Sequence, residues 1–142
     1  MKSKVFFSYD FNNHNLITVD AISNYFILFA NIGNEDVNNK IINKLKKYNS
    51  QKEYFFTTVN PIDKTFEETR YWRGPVWINS NWIIHQGLLD KDKDFAKLTK
   101  NKTLDLLEKS KFYEYYNYNT GESLGANNFS WSAALYLDLK FS

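Results

Sequence analysis

The sequence predicts an all-α fold in which helices buried on most sides alternate with helices that keep one solvated face. Three observations carry this. Apolar residues suit helices in five separate stretches, cap or stop residues stand at several of their edges, and alternation over strand length is scarce. The first helix is expected over Ala21–Asn31, where Ile22, Tyr25, Phe26, Leu28 and Phe29 crowd one side between Asp20 as N-cap and Gly33 as stop. A second follows from Asn34, with Glu35 and Asp36 at the positive end of its dipole and Val37, Ile41, Leu45 and Tyr48 spaced along one face. Lys44, Lys46 and Lys47 gather near its end. Residues 50–70 have no helical period and contain Pro61, so they are expected as a loop with a short extended piece at Tyr54–Phe56. A third helix is expected to start at Gly74-Pro75, since proline's missing N–H costs nothing in a first turn, and to run to Leu89. Trp77, Ile78, Trp82, Ile83, Ile84 and Leu88 surround most of it, which marks a buried helix. Residues 92–110 form a surface helix with Phe95, Leu98, Leu106 and Leu107 inward, residues 112–128 an aromatic and Gly/Asn-rich loop, and Phe129–Leu139 a final apolar helix. Val5–Asp10 is expected to be extended, with a polar turn at Asn12–Asn15.

Alternation of this kind suits two layers, inner helices shielded by outer ones. The 142 residues suffice for one core, and no linker or repeat divides them. With 43% apolar content and 12 Phe, 10 Tyr and 4 Trp, the chain is far from a disordered composition. A net charge of +2 from 18 basic and 16 acidic residues gives no basic track, so nucleic acid is not an expected partner. No apolar run approaches the ~20 residues that cross a bilayer, and the opening residues lack a secretory signal. No membrane partner and a cytoplasmic location are the expectations. No cysteine is present and the two histidines, His14 and His85, are far apart, so neither a metal nor a cofactor is expected.

Two stretches are unlike ordinary core. Tyr71–Trp82 collects three tryptophans, Arg73 and two asparagines around a helix start. Tyr115–Ala126, followed by Phe129-Ser130-Trp131, holds the carboxylate of Glu122 between glycines in an aromatic loop. Sugars present apolar C–H faces ringed by hydroxyls, and flat rings beside two-way hydrogen-bonding groups suit them. On that chemistry Glu122 serves as one of the two carboxyl groups that glycoside hydrolysis needs. A solvated loop carboxylate is the alternative. Trp72, Arg73, Trp77 and Trp131 are candidate substrate-binding residues, with packing and, for Arg73, a structural ion pair as competing roles. Trp82, Asn79, Asn81, Tyr115 and Tyr116 divide between pocket and packing, and His85 reads as a packed residue. Asp10, Asp20, Asp63 and Asp138 need no role beyond cap, turn or surface.

The strings YWRGPVWINSNWIIHQGL and FYEYYNYNTGESLGANNFSWSAAL resemble the two C-terminal signature regions of glycoside hydrolase family 63 and its mannosylglycerate hydrolase-like members. AISNYFILFANIGNEDVNNKIINKL resembles the helix pair that precedes them, so the similarity spans nearly the whole chain. The resemblance implies a partial (α/α)6 toroid, with residues 1–142 as one unit forming roughly its C-terminal half. It also implies an inverting α-glycosidase, of glucosidase or mannosylglycerate hydrolase-like type, hydrolysing the O-glycosidic bond of an oligosaccharide or small glycoside. The Glu of the family's Thr-Gly-Glu-Gly-Leu-Gly pattern, its general base, falls on Glu122, and Ser123 stands where glycine is usual. The motif carrying the family's general-acid Asp has no match here. Either a separate chain supplies the N-terminal half of the toroid, or the chain is a non-catalytic sugar-binding module or an inactive remnant.

Overall fold

In the computed structural model, which describes residues 6–48 and 53–142, close to half of the chain is helical and the strands are confined to two small antiparallel pairs. Strand β1 (Ser8–Asp10) pairs with β2 (Asn15–Ile17), with Tyr9 opposite Leu16. The turn between them is closed by Asp10, whose carboxylate accepts from the Asn12 and Asn13 amides at 2.9 and 3.3 Å. The sequence foresaw the turn but not the returning strand. Val5 and residues 50–52 of the expected loop lie outside the described residues.

The first expected helix is two pieces. A 3₁₀ turn spans Ile22–Tyr25, and α1 (Ile27–Ala30) follows it. Asp20 does not cap them. Its carboxylate is drawn instead to Tyr25 Oη (2.9 Å), Lys44 Nζ (3.0 Å) and Asn60 Nδ2 (2.9 Å), groups spread across the fold. Asn31, with φ of 53°, takes the left-handed C-terminal position expected for Gly33.

Helix α2 (Glu35–Tyr48) forms as its pattern requires: Asn34 Oδ1 accepts from the Val37 amide at 3.0 Å, and Ile41, Ile42, Leu45 and Tyr48 are buried. Helix α3 (Ile78–Leu88) starts later than Gly74-Pro75. Val76 exchanges both backbone hydrogen bonds with Tyr116 (2.8 and 2.9 Å), and Pro75 accepts from the Thr58 amide at 3.1 Å, so these residues are held extended. Long-range pairing overrides the proline rule here. Gly87 lets α1 approach α3, since a Cβ there would sit 2.7 Å from the Phe29 nitrogen.

Helix α4 (Lys93–Ser110) is capped by Asp92, which accepts from the Phe95 amide at 3.0 Å. Leu98, expected inward, is 44% exposed. Thr99 and Thr103 take the inner face, because each hydroxyl donates to the carbonyl one turn back (Phe95 at 2.9 Å, Thr99 at 2.8 Å) and can be buried satisfied. Strands β3 (Tyr115–Tyr116) and β4 (Ser123–Leu124) pair within the expected loop, and α5 (Ser130–Phe141) ends the chain. Core residues form two clusters. One joins α1, α2, Phe55, Phe56, α3 and the start of α4; the other joins Tyr54, Val76, Tyr116 and Tyr118 to the end of α4, with Leu135 and Tyr136 of α5 packed on it.

Asp92 also receives Lys46 Nζ at 2.6 Å, joining α2 to the start of α4. The Lys46 hydrogen bond, followed by that of the Phe95 amide, outweighs burial and holds the Asp92 carboxyl below the usual carboxylate range. A depressed folded-state value means that this stability is present above the unfolded value and lost as pH falls through the folded one. Asp92→Ala is expected to cost about 1–2 kcal/mol at neutral pH. Urea unfolding should show that gap closing once the pH drops below about 4. Asp92→Asn, which keeps a capping oxygen, should lose less.

Among the described residues no helix is long and apolar enough to cross a membrane, and no group of three or more His, Cys, Asp or Glu is placed to hold a metal.

Candidate functional site

The two unusual stretches meet. Tyr71–Arg73 form a 3₁₀ turn ahead of α3, with Tyr71 at φ of 32°. Behind it the rings build a column. Trp72 stacks on Trp77 (centroids 3.9 Å apart, 12° between planes), and Trp77 stacks on Tyr115 of β3 (5.2 Å, 17°). Tyr71 stands edge-on to all three, at 85–90°. Trp77 Nε1 donates to the Tyr71 carbonyl at 3.0 Å, which fixes the turn. Trp77 is 2% exposed, whereas Trp72 is 46% exposed. The open ring of the column is therefore Trp72, and Trp77 is its support.

Arg73 is in an ion pair with Glu67 (2.8 Å), which Arg70 shares at 3.0 Å. Trp131 lies in the first turn of α5, tilted against Phe129 and 46% exposed. That helix start is tied to the same region, for Ser132 Oγ donates to the Tyr113 carbonyl at 2.7 Å and the Phe129 amide to the Phe112 carbonyl at 2.9 Å.

Glu122 sits at the end of the turn between β3 and β4. Asn117, almost wholly buried, organises that turn: its Oδ1 accepts from the Asn119 and Thr120 amides (2.9 and 3.2 Å), its carbonyl from Gly121 (2.9 Å), and its amide donates to the Glu122 carbonyl (2.9 Å). Asn117 Nδ2 in turn donates to Glu68 at 2.9 Å, so the segment ahead of Trp72 grips the turn that carries Glu122. Ser123 Oγ donates to the Ser110 carbonyl at 2.7 Å, and Ser110 Oγ to the Gly121 carbonyl at 2.6 Å. Ser123 thus fastens the hairpin to the end of α4. The Glu122 side chain is exposed and makes no hydrogen bond or ion pair among the described residues.

Glu114 was not legible from the sequence. Its carboxylate accepts from Tyr71 Oη (2.8 Å) and from the Ala126 amide (3.2 Å), clamping the Trp72 turn to the far end of the Glu122 hairpin. That hydrogen bond raises the Tyr71 phenol above its ordinary value. Gly125, at φ of 73°, leaves room for the clamp, since a Cβ there would lie 2.7 Å from Glu114 Oε2. Gly125→Ala is expected to cost roughly 1–3 kcal/mol in thermal or urea unfolding, through the left-handed backbone and the crowded carboxylate. The Asx turn at Asn117 had a signal, an asparagine two residues ahead of another at a turn. Glu68 and Glu114 had none.

Other expectations resolve plainly. His85 is packed, with Nδ1 3.0 Å from the Ala96 carbonyl, and burial lowers its pKa. Tyr116 is fully buried, with its hydroxyl bonded to the backbone of Lys111 and Tyr113. Asn81 is buried and bonds the backbone of Phe56 and Trp77, and Trp82 Nε1 donates to Asp138 at 2.6 Å. Two of the larger concavities, of about 560 and 610 Å³, lie beside the C-terminal end of α3 and include none of Glu122, Trp72, Arg73 or Trp131.

Comparison with known proteins fits this geometry. A family model described as the mannosylglycerate hydrolase MGH1-like glycoside hydrolase domain matches residues 1–132. The chain is 36% identical over 135 residues to a mannosylglycerate hydrolase of Thermus thermophilus, covering 93% of this chain and 32% of that protein. Among solved structures, the family 63 mannosylglycerate hydrolase from a second strain of Thermus thermophilus, in complex with glucose, matches with a TM-score of 0.88 and 34% identity, over 94% of this chain and 35% of that one. The complex of the same enzyme with Tris and D-glycerate gives 0.89 and 35%, over 94% and 33%. The chain spans about a third of the length of these relatives. The match over nearly its whole length, by sequence and by fold, shows that the chain belongs to the mannosylglycerate hydrolase MGH1-like family of glycoside hydrolases.

Proposed function

We propose that this chain is the base-bearing, C-terminal part of an inverting glycoside hydrolase whose substrate is a small glycoside of the mannosylglycerate type. Glu122 is the general base in this reading. Its carboxylate takes a proton from a water molecule as that oxygen bonds to the anomeric carbon. The bond from that carbon to the aglycone oxygen breaks, and a second carboxylic acid protonates the departing oxygen. Inversion sets the two carboxyl groups roughly 6.5–9.5 Å apart, with room for the water between them. The acid belongs to the remainder of the family domain, which a separate polypeptide or a further length of the same one supplies. Within the partial (α/α)6 toroid that this chain forms, α3 and α5 are inner helices and α2 and α4 outer ones. The open face of Trp72 and the ring of Trp131 meet apolar sugar faces, with Trp77 backing Trp72. Arg73, held by Glu67, orients a charged aglycone such as a glycerate carboxylate.

The observation that carries the reading is the uncommitted carboxylate of Glu122 on a turn whose backbone is fixed by Asn117 and Glu68. A group that must take a proton from water needs a fixed position and free lone pairs, and a merely solvated carboxylate needs neither. The test is a chimera in which this chain replaces the matched third of the Thermus thermophilus mannosylglycerate hydrolase. Hydrolysis of mannosylglycerate by the chimera is the expected result, and a folded but inactive chimera contradicts it. A second reading, sugar binding without hydrolysis, is favoured by the open face of Trp72 alone. It predicts that mannose or glucose quenches the fluorescence of the isolated chain, and that Trp72→Ala removes the quenching.

A further inference from the structure

The concavity of about 610 Å³ beside the C-terminal end of α3 takes no part in the site described above. His85, only 3% exposed, forms part of its wall. Nδ1 of that ring is held by the Ala96 carbonyl at 3.0 Å, and Nε2 has no hydrogen-bond partner among the described residues. A buried ring nitrogen without a protein partner finds one in the cavity it borders. The other wall is α4, where Lys93, Lys97 and Lys100 recur at helical spacing along one face. Lys40, Lys44, Lys46 and Lys140 each pair with a carboxylate. Lys93 and Lys97 pair with none among the described residues, and Lys100 donates to the Ser142 carbonyl at 2.8 Å. Three ammonium groups against the one carboxylate of the lining, Asp90, leave an excess of two positive charges. The carbonyl end of α3 repels an anion and the amide end of α4 attracts one, so these half-charges offset each other and the lysines set the sign.

We propose that this cavity binds a phosphate monoester of a small polyol or sugar, with the phosphoryl group between the three lysines and His85 and the organic arm along Leu89 and Ala96. A phosphate monoester carries about −1.5 to −2 charges at neutral pH, which matches the local excess, whereas a carboxylate carries one. Lysine serves such a group as a point charge. The volume falls within the roughly 300–1,000 Å³ of small-molecule sites, so an organic arm fits beside the phosphoryl group. Leu89, Ala96 and the lysine stems give that arm an apolar wall. Trp72 and Arg73 precede α3 and the cavity lies at its other end, 11 residues or roughly 16 Å along the axis, so this is a second site. It does not depend on the role of Glu122.

The chain has two histidines, so proton NMR follows their Cε1–H signals without any substitution. Burial holds the free His85 ring below the ordinary histidine value; Lys100 of α4 adds to this, while the Ala96 carbonyl and Asp138 of α5 oppose it. Glycerol 3-phosphate should shift the His85 signal saturably and raise its titration midpoint, because a dianion favours the imidazolium. His14, exposed ahead of β2, should not move. Inorganic phosphate, which lacks the arm, and D-glycerate, which lacks the second charge, should each bind more weakly. Lys93→Gln combined with Lys97→Gln should weaken glycerol 3-phosphate roughly tenfold or more, with the thermal melt of the free chain unchanged because both side chains are exposed. The proposal is overturned by a His85 signal indifferent to glycerol 3-phosphate, by equal shifts at His14 and His85, or by binding that survives both lysine substitutions. Inorganic phosphate or D-glycerate binding as tightly as the ester would overturn it too.

Discussion

Glu122→Gln should lower kcat of the chimera roughly 10²–10⁴-fold, the range set by removing a positioned acid–base group. Glutamine matches the shape of glutamate but cannot take a proton from water, so the loss falls on the chemical step. KM should move by no more than a few fold, because recognition is assigned to Trp72, Trp131 and Arg73. Folding should be unaffected, since the Glu122 side chain bonds to nothing among the described residues and only its backbone is tied into the turn. Equal thermal melts with a collapsed kcat would therefore separate a catalytic role from a structural one. An unchanged kcat would make Glu122 a solvated loop carboxylate and remove the base from the scheme.

Asn81→Leu should have the largest effect on stability. Asn81 is fully buried, and it bonds both backbone groups of Phe56, accepting from the amide through Oδ1 and donating to the carbonyl at 3.2 Å. Its Nδ2 also donates to the Trp77 carbonyl at 2.8 Å. Phe56 is fully buried too, within the larger core cluster. Leucine fits the volume but leaves the N–H and C=O of Phe56 without partners or water, each costing about 1–3 kcal/mol. A loss of roughly 3–5 kcal/mol is expected, a large share of the ~5–15 kcal/mol that holds a typical domain. Urea unfolding should show a lower midpoint with an unchanged slope. A loss under about 1 kcal/mol would mean that the Phe56 segment is held by its ring packing alone.

What the sequence made legible follows a physical line. Helix α2 was readable to its cap because Asn34 acts within one turn of itself, whereas α4 was readable in extent and its Asp92 cap came from the structure. Asp20 was misread because its partners, Lys44 and Asn60, are 24 and 40 residues away. The start of α3 was misread for the same reason, through the pairing of Val76 with Tyr116. Leu98 shows a different limit, since hydrophobic spacing gives no credit to threonines that satisfy their own hydroxyls. At the site, residue type alone marked the aromatic clusters and the loop carboxylate, and the family strings singled out Glu122. The clamps that bring these parts together, Glu114 to Tyr71 and Glu68 to Asn117, span 43 and 49 residues and left no local trace.

The scheme stands most directly on stereochemistry. Proton NMR of the chimera during its first turnovers of an α-linked substrate reads the anomer released before mutarotation. If Glu122 directs water onto the face opposite the departing oxygen, the sugar appears first as the β-anomer. An α-anomer at the earliest time points would mean a covalent intermediate and a nucleophile, and the role assigned to Glu122 would be wrong.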